Sequence, residues 1–384
     1  MKKLFVLLVS VLLSANLYAS EPFARHTFPS ASIAELETST IAGNITLTGD
    51  AGTNTIVEVF VSSNDRRMND SSIKEMLDEH YTIDVRVANG KLFAVVKHKN
   101  ERSSPRQGLN ISFVISAPRQ VSGTMNSASG SIQINDASGN LRFNTGSGSL
   151  TIDRVSGGIS GNTGSGSINL TNSNSTDNVS LNTGSGSIRA SNSTGNIRLN
   201  TGSGSVRAND LGGSVSMNTG SGSVQAENCT GSISMNTGSG SVRASNLGGD
   251  ISMNSGSGNV TADNISGNVK AGAGSGNIVL RDISGNLSIV DNSSRNNNRR
   301  NGNIDVTMKS VAEHVTISNN SRTVSLTLPA ASGYNLNVRA HNVRTSGMSG
   351  FGGEMNSETL NGTLGNGGAK IEISNTKRVN LSFE

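Results

Sequence analysis

From residue 128 to residue 291 the apolar positions return every nine residues. Laid in nines, this stretch gives eighteen copies, with one two-residue insertion within 171–174. The fifth position is Ile, Leu or Val in every copy, from Ile132, Leu141 and Leu150 to Val269, Ile278 and Leu287. The seventh alternates small with large: Ala190, Leu199, Ala208, Met217, Ala226, Met235. The sixth is polar in every copy except Val279. Alternation of this kind predicts one short strand per nine, with one face inward and one wet. The third position is Gly in all copies but one, where Asp177 stands. So strict a glycine marks a corner that needs positive φ or leaves no room for a side chain. The first position alternates Gly with apolar residues such as Val155, Leu211 and Leu247. Asn and Thr at positions eight and nine, as in Asn200-Thr201 and Asn218-Thr219, suit a second corner where amides bond backbone or stack in a ladder.

A single nine cannot bury its two apolar side chains. Stacking identical turns converts each column into a continuous ladder. The expected fold is therefore all-β, a two-faced parallel β-solenoid in which two nines make one 18-residue coil. Nine coils at about 4.8 Å per strand give a rod roughly 43 Å long. Small residues on one face meet Met or Leu on the other and fill a thin core.

The flanks read differently. In 20–126 alternating runs predict strands over 44–48, 55–62, 82–88, 92–97 and 110–117. Ser72-x-x-Glu75 is a capping-box signal, and Ile73, Met76, Leu77 and His80 share one face, so a helix over about 73–80 is expected. A terminal block unlike the repeats suits an N-terminal cap, since an open strand edge templates the stacking of other chains. After Asp291 an Asn/Arg loop with Arg295, Arg299 and Arg300 interrupts the pattern. It resumes at 303–309, 314–318, 323–328 and 335–339, and runs at 369–374 and 378–383 close the chain. The expected organisation is a signal peptide at 1–19, an N-terminal β-rich cap at 20–126, regular solenoid at 127–291, and irregular continuation with a C-terminal cap at 292–384.

The signal peptide is read from Lys2 and Lys3, an apolar run from Leu4 to Leu13, and small residues at Ala19 and Ser20. That run is too short to span a bilayer, and no later window approaches 18 apolar residues, so no membrane insertion of the mature chain is expected. Composition alone, with 46 Gly, no Trp and 15% charged residues, would suggest a disordered linker. The nine-residue register changes that, because the 33% apolar content falls where a core needs it. The formal net charge of +4 drops to +2 once Lys2 and Lys3 leave, which removes the usual footprint of nucleic-acid binding. One cysteine, Cys229, excludes an intramolecular disulfide, a cysteine zinc site and a lipid anchor at the mature N-terminus. It occupies a first position, where Leu211 and Leu247 stand in other copies, and reads as a buried small hydrophobe.

Chemistry is sparse. His26, His80, His98, His314 and His341 are scattered without ligand spacing, so no metal is expected. The nines lack the Asp of the calcium-binding nonapeptide GGxGxDxUx, and the GxG strings lack the Lys and strand-to-helix setting of a phosphate loop. The repeat faces carry Ser, Thr and Asn with few carboxylates, so neither catalysis nor a cofactor is expected. What remains is surface. The sixth position sets Arg189, Arg207, Gln225 and Arg243 on one face, above Asn169 and Thr151. The opposite face carries Ser180, Arg198, Ser216, Ser234 and Ser252. These arginines are the candidate surface-binding column for acidic glycan or a partner strand. The repeats hold no aromatic after Phe143, so a ligand would be held by hydrogen bonds and avidity along the rod.

The alternation of T-G-S-G-[SN]-[IV]-x-[AVL] with x-x-G-[SN]-[IV]-x-[LM]-N resembles the bacterial putative-adhesin β-strand-repeat family, exported proteins of unknown function. The closing segment LNGTLGNGGAKIEISNTKRVNLSFE, from Leu360 to Glu384, resembles the end of that family, and the resemblance covers 127–384. It implies an exported, non-enzymatic module in the periplasm or at the cell surface, with an envelope or host-surface glycan or protein as partner. The alternative is self-association into a structural rod or fibre.

Overall fold

The computed structural model describes residues 21–50, 52–65, 67–100, 108–290 and 302–384. The expected signal peptide and the loop holding Arg295, Arg299 and Arg300 lie outside them. The described residues form a many-stranded repeat β-solenoid with one α-helix.

Two parallel ladders run through the repeats. In the first, Ile188, Val206, Val224, Val242, Val260 and Ile278 follow one another in register. In the second, Ile197, Val215, Ile233, Ile251, Val269 and Leu287 do the same. Successive rungs are one 18-residue coil apart, so odd and even nines supply different ladders. The sequence dictates this: alternation buries positions five and seven, and Val206, Ala208, Val215 and Met217 are all at most 2% exposed. Leu211, from position one, joins them. Each large side chain so buried contributes about 1.5–3 kcal/mol.

The glycine column has two physical origins. At the third position of odd nines, a Cβ on Gly204 or Gly240 would stand 2.0 Å from the carbonyl oxygen of the glycine one coil earlier. At the third position of even nines, Gly213, Gly231 and Gly249 adopt φ of 98–107°, in addition to a Cβ approach of 2.3–2.5 Å to the carbonyl oxygen one coil earlier. The even strand then ends in a hydroxyl latch. Thr219 Oγ1 donates to the Gly204 carbonyl at 2.8 Å and accepts the Gly222 N–H at 3.1 Å. Thr145, Thr163, Thr183, Thr201 and Thr237 repeat the geometry. The TGSG string is thus a corner: a threonine satisfies the turn, and glycines admit the coil below.

Position eight of the even nines forms the expected amide ladder. Asn144, Asn162, Asn182, Asn200, Asn218 and Asn236 each donate Nδ2–H to Oδ1 of the preceding rung, at 2.8–3.1 Å. The odd strands end otherwise. Position nine there is left-handed at Asp136, Arg154, Asn172, Asn192, Asp210, Asn228, Asn246, Asn264 and Asp282, with φ of 49–56°. Asn and Asp tolerate that region better than other residues with a side chain.

The insertion lies later than the expected 171–174. Asn174 pairs with Thr194 and Asn178 with Asn196, so residues 175–177 stand opposite Gly195 alone. Here a bulge replaces the positive-φ glycine, and the Ser175 hydroxyl accepts the Asp177 N–H at 3.2 Å.

Both ladders continue into the N-terminal block. Ile45–Asp50 pairs parallel with Ile132–Asn135, and Glu35–Thr40 with Ser122–Ser127. Beyond them the pairing turns antiparallel. Lys91–His98 joins Tyr81–Ala88 on one side, and Leu109–Pro118 joins Asn54–Ser63, then Ala24–Pro29, on the other. The helix is Asp70–His80, three residues longer at its start than the spacing predicts. Its N-cap is Asn69, whose Oδ1 accepts the Ser72 N–H at 2.9 Å, so Ser72 is the recipient of the cap and not the cap. Leu77 is its buried anchor.

The C-terminal strands do not stack in chain order. Ile304–Leu328 follows Ile278–Val290, but its other neighbour is the last strand, Ala369–Phe383. Tyr334–Ser346 lies outside that strand, followed by the antiparallel pair Thr359–Leu364 and Phe351–Met355. The final strand is therefore inserted between two earlier ones. Gly365, Gly367 and Gly368, all at positive φ, provide the return.

Candidate functional site

Because positions five and seven point inward, position six must point out, and parallel register turns it into a column. On the first ladder the column reads Thr151, Asn169, Arg189, Arg207, Gln225, Arg243, Thr261. All three arginines are exposed. Among the described residues none makes an ion pair or a side-chain hydrogen bond. Arg189 and Arg207 occupy neighbouring rungs, about 4.8 Å apart along the stack. Like charges placed directly opposite are mildly destabilising, so the pair is a local cost to the fold that an anionic ligand would relieve.

Arg198 belongs to the second ladder. Its column reads Ser160, Ser180, Arg198, Ser216, Ser234, Ser252, Lys270, Ser288. The structure thus brings Arg189, Arg207, Gln225 and Arg243 together and leaves Arg198 on the other face, as the repeat arithmetic requires. Three depressions lie on this Ser/Asn face, away from the arginine column. One of about 490 Å³ is lined by Lys91, Thr124, Asn140, Arg142, Gly158 and Ser180. Beside it Arg86 stacks over the Phe93 ring at 4.4 Å, and Lys91 reaches Glu37 at 2.8 Å. Two more, of about 500 and 360 Å³, adjoin at Ser252, Lys270 and Ser288. The sequence reading passed over Lys270. The available signals were a lysine in a serine column and a glycine, Gly272, where the asparagine column should continue.

A third side carries the strongest charge pairing. Arg154 donates Nε–H and Nη2–H to the two carboxylate oxygens of Asp136, both at 2.8 Å, and Arg119 adds Nη2–H at 3.3 Å. Arg154 holds the Asp136 carboxyl below the ordinary carboxylate range, while burial alone would raise it. Cys229 is 1% exposed, its Sγ lies 3.1 Å from the Glu227 carbonyl oxygen, and burial pushes its thiol up. A thiol so placed is a poor nucleophile. Among the described residues no three His, Cys, Asp or Glu side chains gather as a metal site, and no helix is long and apolar enough to cross a membrane.

Parallel ladders, glycine corners and polar outer columns define a repeat β-solenoid that presents surface. The chain belongs to the Toastrack DUF4097 family, whose model matches residues 27–246. That match takes in most of the N-terminal block as well as the first thirteen of the eighteen nine-residue copies. No curated protein matches the chain. Two of the solved structures that are similar can be named. One is a putative cell adhesion protein from Clostridium sporogenes, at 11% identity and TM-score 0.17, covering 95% of this chain and 100% of that one. The other is a putative adhesin from Bacteroides fragilis, at 12% identity and TM-score 0.27, covering 75% of this chain and 96% of that one. At these scores neither neighbour bears on coil geometry or ligand.

Proposed function

We propose that the protein is an exported, non-enzymatic adhesin or cell-envelope interaction module that binds through its polar strand faces, in the periplasm or at the cell surface. The observation that carries the reading is the in-register run Arg189, Arg207, Gln225, Arg243, whose three arginines are exposed and, among the described residues, unpaired. Fixed rungs spare a partner the cost of ordering the backbone, and repetition multiplies weak contacts. The reading includes a two-faced coil, an N-terminal cap formed by 20–126 and a C-terminal closure. Antiparallel strands at the N-terminal end of both ladders support it, because they replace the parallel edge on which a second rod would stack. The same feature favours a monomeric rod over the fibre reading.

The test is binding of the purified mature chain to arrays of acidic and neutral glycans and to envelope fractions. Wild type is expected to bind an acidic ligand, and a triple Arg189→Ser, Arg207→Ser, Arg243→Ser variant to lose at least tenfold in affinity. No binding by wild type, or equal binding by the variant, overturns the reading. Fractionation with protease treatment of intact cells assigns the compartment, and sedimentation at high concentration is expected to give a monomer.

A further inference from the structure

The asparagine ladder of the second face runs without a gap from Asn126 to Asn236 and then stops. The next rung, Asn254, is exposed, and among the described residues its side chain has no hydrogen-bond partner. The rung after it is Gly272, which has no amide to offer, and the one beyond is Val290, 42% exposed. In the adjacent column Lys270 replaces serine between Ser252 and Ser288. It is exposed and, among the described residues, without an ion pair.

These breaks coincide with the paired depressions. The larger, about 500 Å³, is bounded by Asn254, Gly272, Val290 and Lys270. It adjoins the 360 Å³ depression, where Asp250 accepts a hydrogen bond from Asn268 Nδ2 at 2.9 Å and His314 forms the far rim. Volumes of this order fall within the range of ligand sites, about 300–1,000 Å³.

From this geometry we infer that the groove around Lys270 is a binding site for a uronate residue of an acidic oligosaccharide. Lys270 pairs with the sugar carboxylate. The open Asn254 amide and the Ser252 and Ser288 hydroxyls bond ring hydroxyls, each able to donate and accept. Val290 offers an apolar patch to a C–H face. Asp250 accepts further hydroxyl protons and disfavours a phosphate, whose higher charge would meet it at close range. The proposal rests on the adhesion reading and gives it a substrate class on the face opposite the arginine column.

The experiment titrates the full mature chain with a glucuronate-containing tetrasaccharide and with its methyl ester, followed by calorimetry and saturation-transfer NMR. Wild type is expected to bind the acid at least tenfold more tightly than the ester. Lys270→Ser, which restores the serine column, is expected to lose at least tenfold. Gly272→Asn is the sharper variant. Its φ is not positive, and its Cβ meets only the flexible end of Asn254, at 3.0 Å, so the new amide adds a rung and fills the groove. It is expected to abolish binding with no loss of melting temperature, whereas Lys74→Ala on the helix leaves binding unchanged. Equal binding of acid and ester, or wild-type affinity in both groove variants, overturns the proposal. If the groove variants bind as wild type while the triple arginine variant does not, the groove fails and the adhesion reading stands.

Discussion

The odd and even halves of each coil share a nine-residue template and turn their corners by different means. An even strand ends in a buried threonine whose hydroxyl bridges two backbone groups, followed by glycines packed against the coil below. An odd strand ends in an Asn or Asp in the left-handed region, followed two residues after the apolar first position by a glycine at positive φ. One corner is held by contact with the preceding coil alone, and the other adds a left-handed backbone to the same close approach, a Cβ on Gly231 or Gly249 falling 2.3 Å from the carbonyl oxygen one coil earlier. Glycine appears at position three of both halves, so the consensus letter conceals two separate requirements.

The largest effect should come from the contact-held corner. Gly240→Ala places a Cβ 2.0 Å from a backbone carbonyl that cannot move without displacing the coil below, and a loss above about 4 kcal/mol is expected. Gly248→Ala meets nothing nearer than Thr230 Cγ2 at 4.0 Å, and its φ is ordinary, so the change should stay within about 0.5 kcal/mol. Guanidinium denaturation of the two variants checks the comparison. Gly248 stands beside the position-three column, so similar losses in both would mean that close approach is not what makes Gly240 costly to replace.

The threonine latch comes next. Thr219→Val keeps the shape and removes the hydroxyl, leaving the Gly204 carbonyl and the Gly222 N–H without it. Two disrupted, partly buried bonds should lower stability by about 1–3 kcal/mol, and Thr219→Ser should recover most of it. Ser255, which makes the same two bonds at 2.8 Å each, is the natural precedent for that rescue.

How much of this was legible in the sequence follows the same division. The apolar columns at positions five and seven are fixed by burial, and burial writes directly into residue type. The strand register, the amide ladder and the buried Cys229 could accordingly be read from spacing. The left-handed column was not read, although Asn and Asp at position nine of the odd nines carried its signal. Arg154, which adopts the same φ of 51°, blurs it. In the N-terminal block Ala24–Pro29 and Glu35–Thr40 were missed, because edge and junction strands such as ARHTFP and ELETST lack a clean apolar alternation. Insertion of Ala369–Phe383 between earlier strands was invisible for another reason. Alternation tells which side chains face inward and says nothing about which strand lies alongside. The candidate columns were legible as arithmetic, while the groove at Lys270 depends on which neighbours are missing from the ladder.

The conformation-held corner should respond more gently. Asn228 sits at φ 52° and accepts a hydrogen bond from Asn246 Nδ2 at 3.1 Å on the exposed side. Asn228→Ala should cost about 1 kcal/mol, since alanine resists the left-handed region, while Asn228→Gly should be nearly neutral. Equal losses would assign the column to the amide ladder and not to backbone conformation. Melting curves resolve a difference of this size.

The smallest effect lies where the same column becomes charged. Asp136 and Arg154 occupy successive left-handed positions, and their bidentate pair stands where later coils place uncharged amides such as Asn228 and Asn246. The pair depresses the Asp136 carboxyl in the folded chain. A depressed carboxylate adds stability that is fully present above its unfolded value, near pH 3.9, and is lost as the pH falls through the lower folded value. Asp136 is about a quarter exposed, with a side-chain exposure of 23%, and Arg154 about half, at 51%. Solvent screening should therefore hold the contribution below about 1 kcal/mol. Asp136→Asn should be less stable than wild type by that margin at pH 7, and the gap should close below about pH 3. Asparagine keeps the left-handed backbone and the uncharged amide of the later rungs, so the variant isolates charge from conformation. A gap that persists at pH 2 would mean that the corner needs the carboxylate's shape or its packing, and that the charged and amide rungs of the column are not equivalent.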